Sequence, residues 1–193
     1  NTGLEQQFKE QGLVMLKQIE ENPGQLINLA VKIKMDLPHY WLSEQDSIIL
    51  CGKIDWLEYL PDLDSVHIID FKTSKTEETS DSLQLPIYHL LVHNCQHRTV
   101  NKASYWYLRF NNEPTQVDLP DLESASQQVL KIAKKIKLAR KLEKFTCPTN
   151  GCRHCHPFEL IKSGDATYVG TNDFKQDLFI IQKSENSQES EIL

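Results

Sequence analysis

The sequence predicts an α/β (α+β) fold in which one mixed sheet is flanked by helices, in the order α-β-β-β-α-β. Three observations carry this prediction. Helical periodicity recurs over residues 3–21, 83–95 and 121–144. Period-two alternation fills the stretch between the first two of these segments. Turn-forming Asn-Pro-Gly, Asp-rich and Ser-rich breaks separate the segments from one another.

Leu4, Phe8, Leu13, Leu16 and Ile19 recur at roughly helical spacing, and Asn22-Pro23-Gly24 supplies the stop. Val31, Ile33, Met35 and Leu37 then alternate with Lys32, Lys34 and Asp36, the pattern of a half-buried strand. Beyond a polar turn at 43–47, Ile48, Leu50, Gly52, Ile54 and Trp56 mark a second strand. The break at 62–65 leads to Val66-His67-Ile68-Ile69-Asp70-Phe71, apolar enough to lie centrally and to complete a three-strand meander. Ser80 and Ser82 offer caps to a helix over 83–95, with Pro86 near its first turn, where a missing N–H costs least. An aromatic strand over 103–110 and its hairpin partner over 115–119 follow. Pro120 and Asp121 start a basic helix whose apolar stripe is Ala125, Val129, Ile132, Ile136 and Ala139. A cysteine knuckle over 147–158, a short strand over 177–182 and a disordered tail over 184–193 complete the reading. The expected divisions are a core over 1–146, the knuckle over 147–160 and an extension over 161–193.

With 193 residues, 39% hydrophobic and 25% charged, the chain is sized for one large domain with a real core. No run approaches the roughly 18 apolar residues of a membrane helix, so a spanning protein is excluded. The chain opens on Asn1 without a basic and apolar leader, which reads as a fragment or processed chain. The net charge of −6 excludes a uniformly basic nucleic-acid binder. That average hides an asymmetry: residues 121–144 hold seven cations against three acids, while residues 55–81 hold eight acids and two lysines. A basic helix beside an acidic centre suits a protein that grips a polyanion and needs a cation, although most charge runs are ordinary solvated faces. Five cysteines, an odd number with three crowded into 147–155, point to a reducing, cytoplasmic compartment.

Asp55 closes Gly52-Lys53-Ile54-Asp55, and Asp70 closes Ile68-Ile69-Asp70. Adjacent antiparallel strands would bring these carboxylates close, and two such groups repel unless a proton or a divalent cation sits between them. Hard oxygen ligands suit Mg²⁺ or Mn²⁺. Lys72 lies two residues after Asp70 and hence on the same strand face, where an ammonium can orient water and neutralise charge building on a phosphate. The alternative for the isolated Asp-x-Lys tripeptide is a surface pair at a strand end.

Together, Gly52-Lys53-Ile54-Asp55, Ile68-Ile69-Asp70-Phe71-Lys72-Thr73 and Gln84-Leu85-Pro86-Ile87-Tyr88 resemble the RecB-type branch of the PD-(D/E)XK nucleases. In that branch a G-x-x-D strand, a D-x-K strand and a Q-x-x-x-Y helix follow in this order. The resemblance covers roughly residues 3–160. It implies a restriction-endonuclease-like core, dependence on Mg²⁺ or Mn²⁺, and hydrolysis of DNA, with exonuclease work in repair or recombination and a helicase or larger repair complex as partner. Carried over to this chain, Asp55 and Asp70 are the metal ligands and Lys72 the catalytic lysine. Gln84 and Tyr88 border the site or contact DNA.

Members of that branch usually carry a His on an early helix. Here no His precedes His39, and that helix is expected upstream of the fragment. His67, three residues before Asp70, falls on the opposite strand face. Many relatives also end in a cysteine cluster that binds an iron–sulfur centre. Here Cys147, Cys152 and Cys155 are present, while Ile161 stands where a final cysteine is usual. The three cysteines with His154 or His156 could instead hold Zn²⁺, or stand as free thiols. Cys51 and Cys95 read as small buried hydrophobes.

Lys134, Lys137, Lys141 and Lys144 form the natural phosphate grip, and Tyr105, Trp106 and Tyr107 are candidates for stacking on unpaired bases, with at least one of the three turned to the core because strand neighbours alternate faces. The leading expectation is therefore a metal-dependent deoxyribonuclease working through Asp55, Asp70 and Lys72. The alternatives are a weakly active nuclease fold kept as a DNA-binding or scaffolding module, and a zinc-knuckle binding module.

Overall fold

The computed structural model describes residues 2–145, 147 and 151–181. The expected tail over 184–193 lies outside the described residues. By internal packing the chain divides into two compact units, Asn1–Leu138 and Ala139–Leu193.

The first unit opens with helix α1 (Thr2–Glu21), which ends at the predicted turn. There Gly24 takes φ +46°, a left-handed conformation that favours glycine, and lies in van der Waals reach of the Trp106 ring. A hairpin of β1 (His39–Ser43) and β2 (Ile48–Cys51) follows. The central sheet, among the described residues, is β3 (Trp56–Leu60), β4 (Ser65–Lys72), β5 (Thr99–Tyr107) and β6 (Thr115–Val117), in that spatial order. β3 runs antiparallel to β4, β4 parallel to β5, and β5 antiparallel to β6. The parallel pair is joined by helix α2 (Gln84–Cys95), and helix α3 (Leu122–Lys141) comes after β6.

Each sheet face has its own core. Val66, Ile68, Ala103, Tyr105 and Tyr107 pack with Leu85 and Val92 of α2. On the opposite face Ile69 and Trp106 pack with Met15 and Ile19 of α1. A third cluster joins Leu90 of α2 and Ala125 and Val129 of α3 to Tyr40, Leu42 and Leu50 of the β1–β2 hairpin. β4 is thus covered on both faces, as its near-continuous apolar run predicts. In the second unit, helix α4 (His156–Ser163) precedes a hairpin of β7 (Ala166–Thr171) and β8 (Asp177–Ile181).

The fold class is as the sequence predicts, but several local expectations are corrected. Residues 31–37 form no strand; only Ala30 bridges to Glu58. The strand expected through Ile48–Trp56 breaks at 52–55 into β2 and β3, which belong to different sheets. The predicted meander is therefore a separate hairpin plus two strands of the central sheet. Tyr105, Trp106 and Tyr107 are all buried, because β5 lies between two strands with a helix over each face, so none can stack on a base. Cys51 is exposed, on a strand of the outlying hairpin, and Cys95 only partly buried.

Candidate active site

The antiparallel register of β3 and β4 sets Trp56 opposite Ile69. One step further along that register, Asp55 comes beside Asp70, and its Oδ2 accepts a hydrogen bond from the backbone N–H of Phe71 at 3.1 Å. Gly52 starts this approach, since a Cβ there would meet Leu91 Cδ1 at 3.0 Å. The glycine lets the chain lie against α2 just before it turns into β3. Asp70 is fully buried, while Asp55 is exposed.

Lys72 extends from the same face of β4 as Asp70. Its Nζ lies 2.8 Å from Asp70 Oδ2 and 3.0 Å from Glu78 Oε1, and it donates to Gln84 Oε1. Gln84, the first residue of α2, donates from Nε2 to Asp70 Oδ1 at 2.6 Å and to the Tyr88 hydroxyl at 3.2 Å. The i,i+4 spacing of Gln84 and Tyr88 puts both on the helix face turned to β4. The Tyr105 ring lies beneath the Lys72 ammonium, with its centroid 5.2 Å away. Glu78 is the participant that sequence reasoning missed. It sits in the connection after β4, where no periodicity singles it out, and its N–H donates to the Tyr107 hydroxyl.

Electrostatics follow from burial and neighbours. Burial pushes the Asp70 carboxyl above its ordinary range and Asp55 adds to the rise; Lys72 opposes it without cancelling it. Burial alone would depress the Lys72 ammonium, but its contacts to Asp70 and Glu78 outweigh burial and its net shift is upward. Glu78 is held low, first by its hydrogen bond with Lys72. Lys72 is therefore a fixed positive charge. Asp70 Oδ2 has the ammonium nearby but no donor in hydrogen-bonding geometry, so it is a buried carboxylate oxygen held by charge alone. An under-satisfied buried oxygen beside a second, solvent-facing carboxylate is a donor set that suits a hard divalent cation.

The sequence profile of the PD-(D/E)XK nuclease superfamily matches residues 4–157, most of the chain and all three motif segments. The chain belongs to the PD-(D/E)XK nuclease superfamily. Members of this superfamily use divalent metals and usually hydrolyse phosphodiester bonds. No curated protein and no solved structure matches the chain. No helix among the described residues is long and apolar enough to cross a membrane.

The other residues singled out in this nuclease-superfamily chain fall elsewhere. His67 is engaged on the opposite sheet face: its Nδ1 lies 2.6 Å from Glu58 Oε2 and its Nε2 2.7 Å from Ser104 Oγ. It does not reach the carboxylate pair. His89 is buried, with Nδ1 donating to the Pro120 carbonyl at 2.8 Å. On α3, Lys134 pairs with Asp46 at 2.7 Å and Lys137 donates to the Asp46 carbonyl, which latches the helix to the β1–β2 turn. In the second unit, Cys147, Cys152 and Cys155 bring their sulfurs within 4.8 Å of one another, a group that could bind a metal. The Cys155 thiol is pushed up to about 11, first by its contact with Cys152 and then by Cys147. Such crowding opposes a free thiolate and is relieved by a shared soft cation.

Proposed function

We propose that this chain is a Mg²⁺- or Mn²⁺-dependent DNA nuclease of the RecB type, an exonuclease acting in repair or recombination alongside a helicase or larger complex. The observation that carries the reading is the convergence of Asp55, Asp70, Lys72 and Gln84 on one hydrogen-bonded centre at the edge of β4. Asp55 and Asp70 are the residues that would hold the cation, which when bound lowers the pKa of a water and draws charge from the phosphate. Lys72 keeps its proton and so acts as a charge, not as a base: it orients the attacking water and offsets negative charge as it builds on the phosphate. Gln84 fixes both partners by donating to Asp70 and accepting from Lys72. Water oxygen bonds to phosphorus as one P–O ester bond breaks; the attacking water gives up a proton to solvent and the departing oxygen takes one from solvent. Lys134, Lys137, Lys141 and Lys144 add phosphate contacts, which requires Lys134 and Lys137 to leave Asp46.

End-labelled DNA incubated with Mg²⁺ or Mn²⁺ tests the reading. Cleavage by the wild type that is lost in Asp70→Ala and Lys72→Ala, with circular dichroism unchanged, is the expected result. Equal cleavage by Asp70→Ala would sink it, and DNA binding without cleavage by the wild type would favour the scaffold reading.

A further inference from the structure

Segments 30–38 and 52–57 touch at two points and separate between them. Val31 N–H donates to the Leu57 carbonyl at 2.8 Å at one end, and Gly52 N–H to the Pro38 carbonyl at 3.1 Å at the other. Among the described residues, no backbone hydrogen bond joins 32–37 to 53–56. The gap is an open cleft of about 880 Å³. Its rim carries Lys32, Lys34 and Lys53, all exposed, while Met35, Ile54 and Trp56 give it apolar lining. Asp55 is part of the same wall.

The three rim lysines take part in no ion pair among the described residues. Lys134 and Lys137 of α3, in contrast, are both engaged with Asp46. The rim opposes its ammoniums with the carboxylates of Asp36 and Asp55 alone, and Asp55 is one of the residues assigned above to the cation. Three uncommitted ammoniums above an apolar lining match a single nucleic-acid strand: the lysines take phosphates, and the apolar wall takes faces of unpaired bases. In a duplex those faces are already stacked on one another and the lining would have no partner.

Resting on the nuclease reading above, we propose that Lys32, Lys34 and Lys53 bind the phosphates of a single strand along this cleft and lead that strand to Asp55. The substrate class is thus single-stranded nucleic acid or a single-stranded end. The sequence had marked this segment as a half-buried strand. Its alternation of lysine and apolar residues places the lysines outward without a neighbouring strand to cover them.

The test is fluorescence anisotropy of a labelled oligo-dT of about 15 nucleotides, in EDTA so that neither cleavage nor bound metal enters. Removing three phosphate contacts in Lys32→Ala/Lys34→Ala/Lys53→Ala is expected to weaken binding about tenfold or more. It should also flatten the slope of log affinity against log salt by about 2. A duplex of equal length should bind the wild type more weakly and lose less on substitution. The three side chains are exposed, so thermal melting should be unchanged. An unchanged salt slope, an equal loss for duplex and single strand, or no strand binding by the wild type would each overturn the proposal. So would finding the whole slope removed by alanine at Lys134, Lys137, Lys141 and Lys144. Asp70→Ala separates the two claims: it should lose cleavage in Mn²⁺ yet keep strand binding in EDTA. Retained cleavage in that variant would sink the nuclease reading while the binding result stood.

Discussion

The amide of Gln84 bridges the two halves of the charged centre: Nε2 donates to Asp70 Oδ1 at 2.6 Å while Oε1 accepts from Lys72. Neither role can be exchanged, because a carboxylate only accepts and an ammonium only donates. Gln84→Ala should therefore leave the fold intact and lower the rate of cleavage about tenfold through lost positioning. Single-turnover kinetics at saturating DNA would read this, since a role in DNA affinity alone would leave that rate unchanged.

Gly52 has a packing role distinct from the chemistry. Leu91, its neighbour, is fully buried and has little room to yield to a Cβ 3.0 Å from its Cδ1. Overpacking of this kind costs about 1–3 kcal/mol, and the entropic gain of Gly→Ala returns about 0.4–1 kcal/mol. Gly52→Ala is expected to be destabilised by about 1 kcal/mol, read as a lower urea midpoint, with weakened cation binding as Asp55 shifts. A raised midpoint would contradict the packing account.

Two buried histidines should make the fold acid-sensitive. Burial is the main cause that holds both His67 and His89 below the ordinary histidine range. The unfolded chain takes up their protons near pH 6.5, so this stability is fully present above that pH and is lost as pH falls toward the lower folded values. Asp70, raised in the fold, works in the opposite direction, so the informative comparison is between two proteins that both keep it. Urea midpoints at about pH 7.5 and 5.5 should differ less for His89→Gln than for the wild type. Equal differences would exclude a contribution from His89.

The sulfur cluster should hold a thiophilic metal. Elemental analysis of protein purified without chelator is expected to find about one site's worth of metal per chain, lost in the double variant Cys152→Ser/Cys155→Ser. Metal-free protein should alkylate slowly at Cys155 near neutral pH, because its thiol is pushed up to about 11. Rapid alkylation, or full metal content in the double variant, would contradict this.

The side chains that cluster at the candidate site were more legible in the sequence than the backbone was. Asp55, Asp70, Lys72, Gln84 and Tyr88 were all identified from motif order, and the fold brings them into contact or hydrogen-bonding range. Glu78 was not, because a loop carboxylate has no periodic signature. The alternation of Lys32 to Met35 separates exposed Lys32 and Lys34 from buried Ile33 and half-buried Met35, but it fails at Leu37, which is exposed, and no ladder forms there. Period-two burial needs an extended chain over a core but not a strand beside it. Tyr105, Trp106 and Tyr107 looked half-available because alternation alone exposes every second residue. The parallel pairing with β4 and the helices on both faces bury all three, and that is a tertiary fact.

The central claim is that Asp55 and Asp70 seat a divalent cation, and calorimetric titration of Mn²⁺ into wild type and Asp70→Ala tests it most directly. The account predicts saturable binding by the wild type that vanishes in Asp70→Ala. Equal heats from the two proteins, or no binding by the wild type, would contradict it.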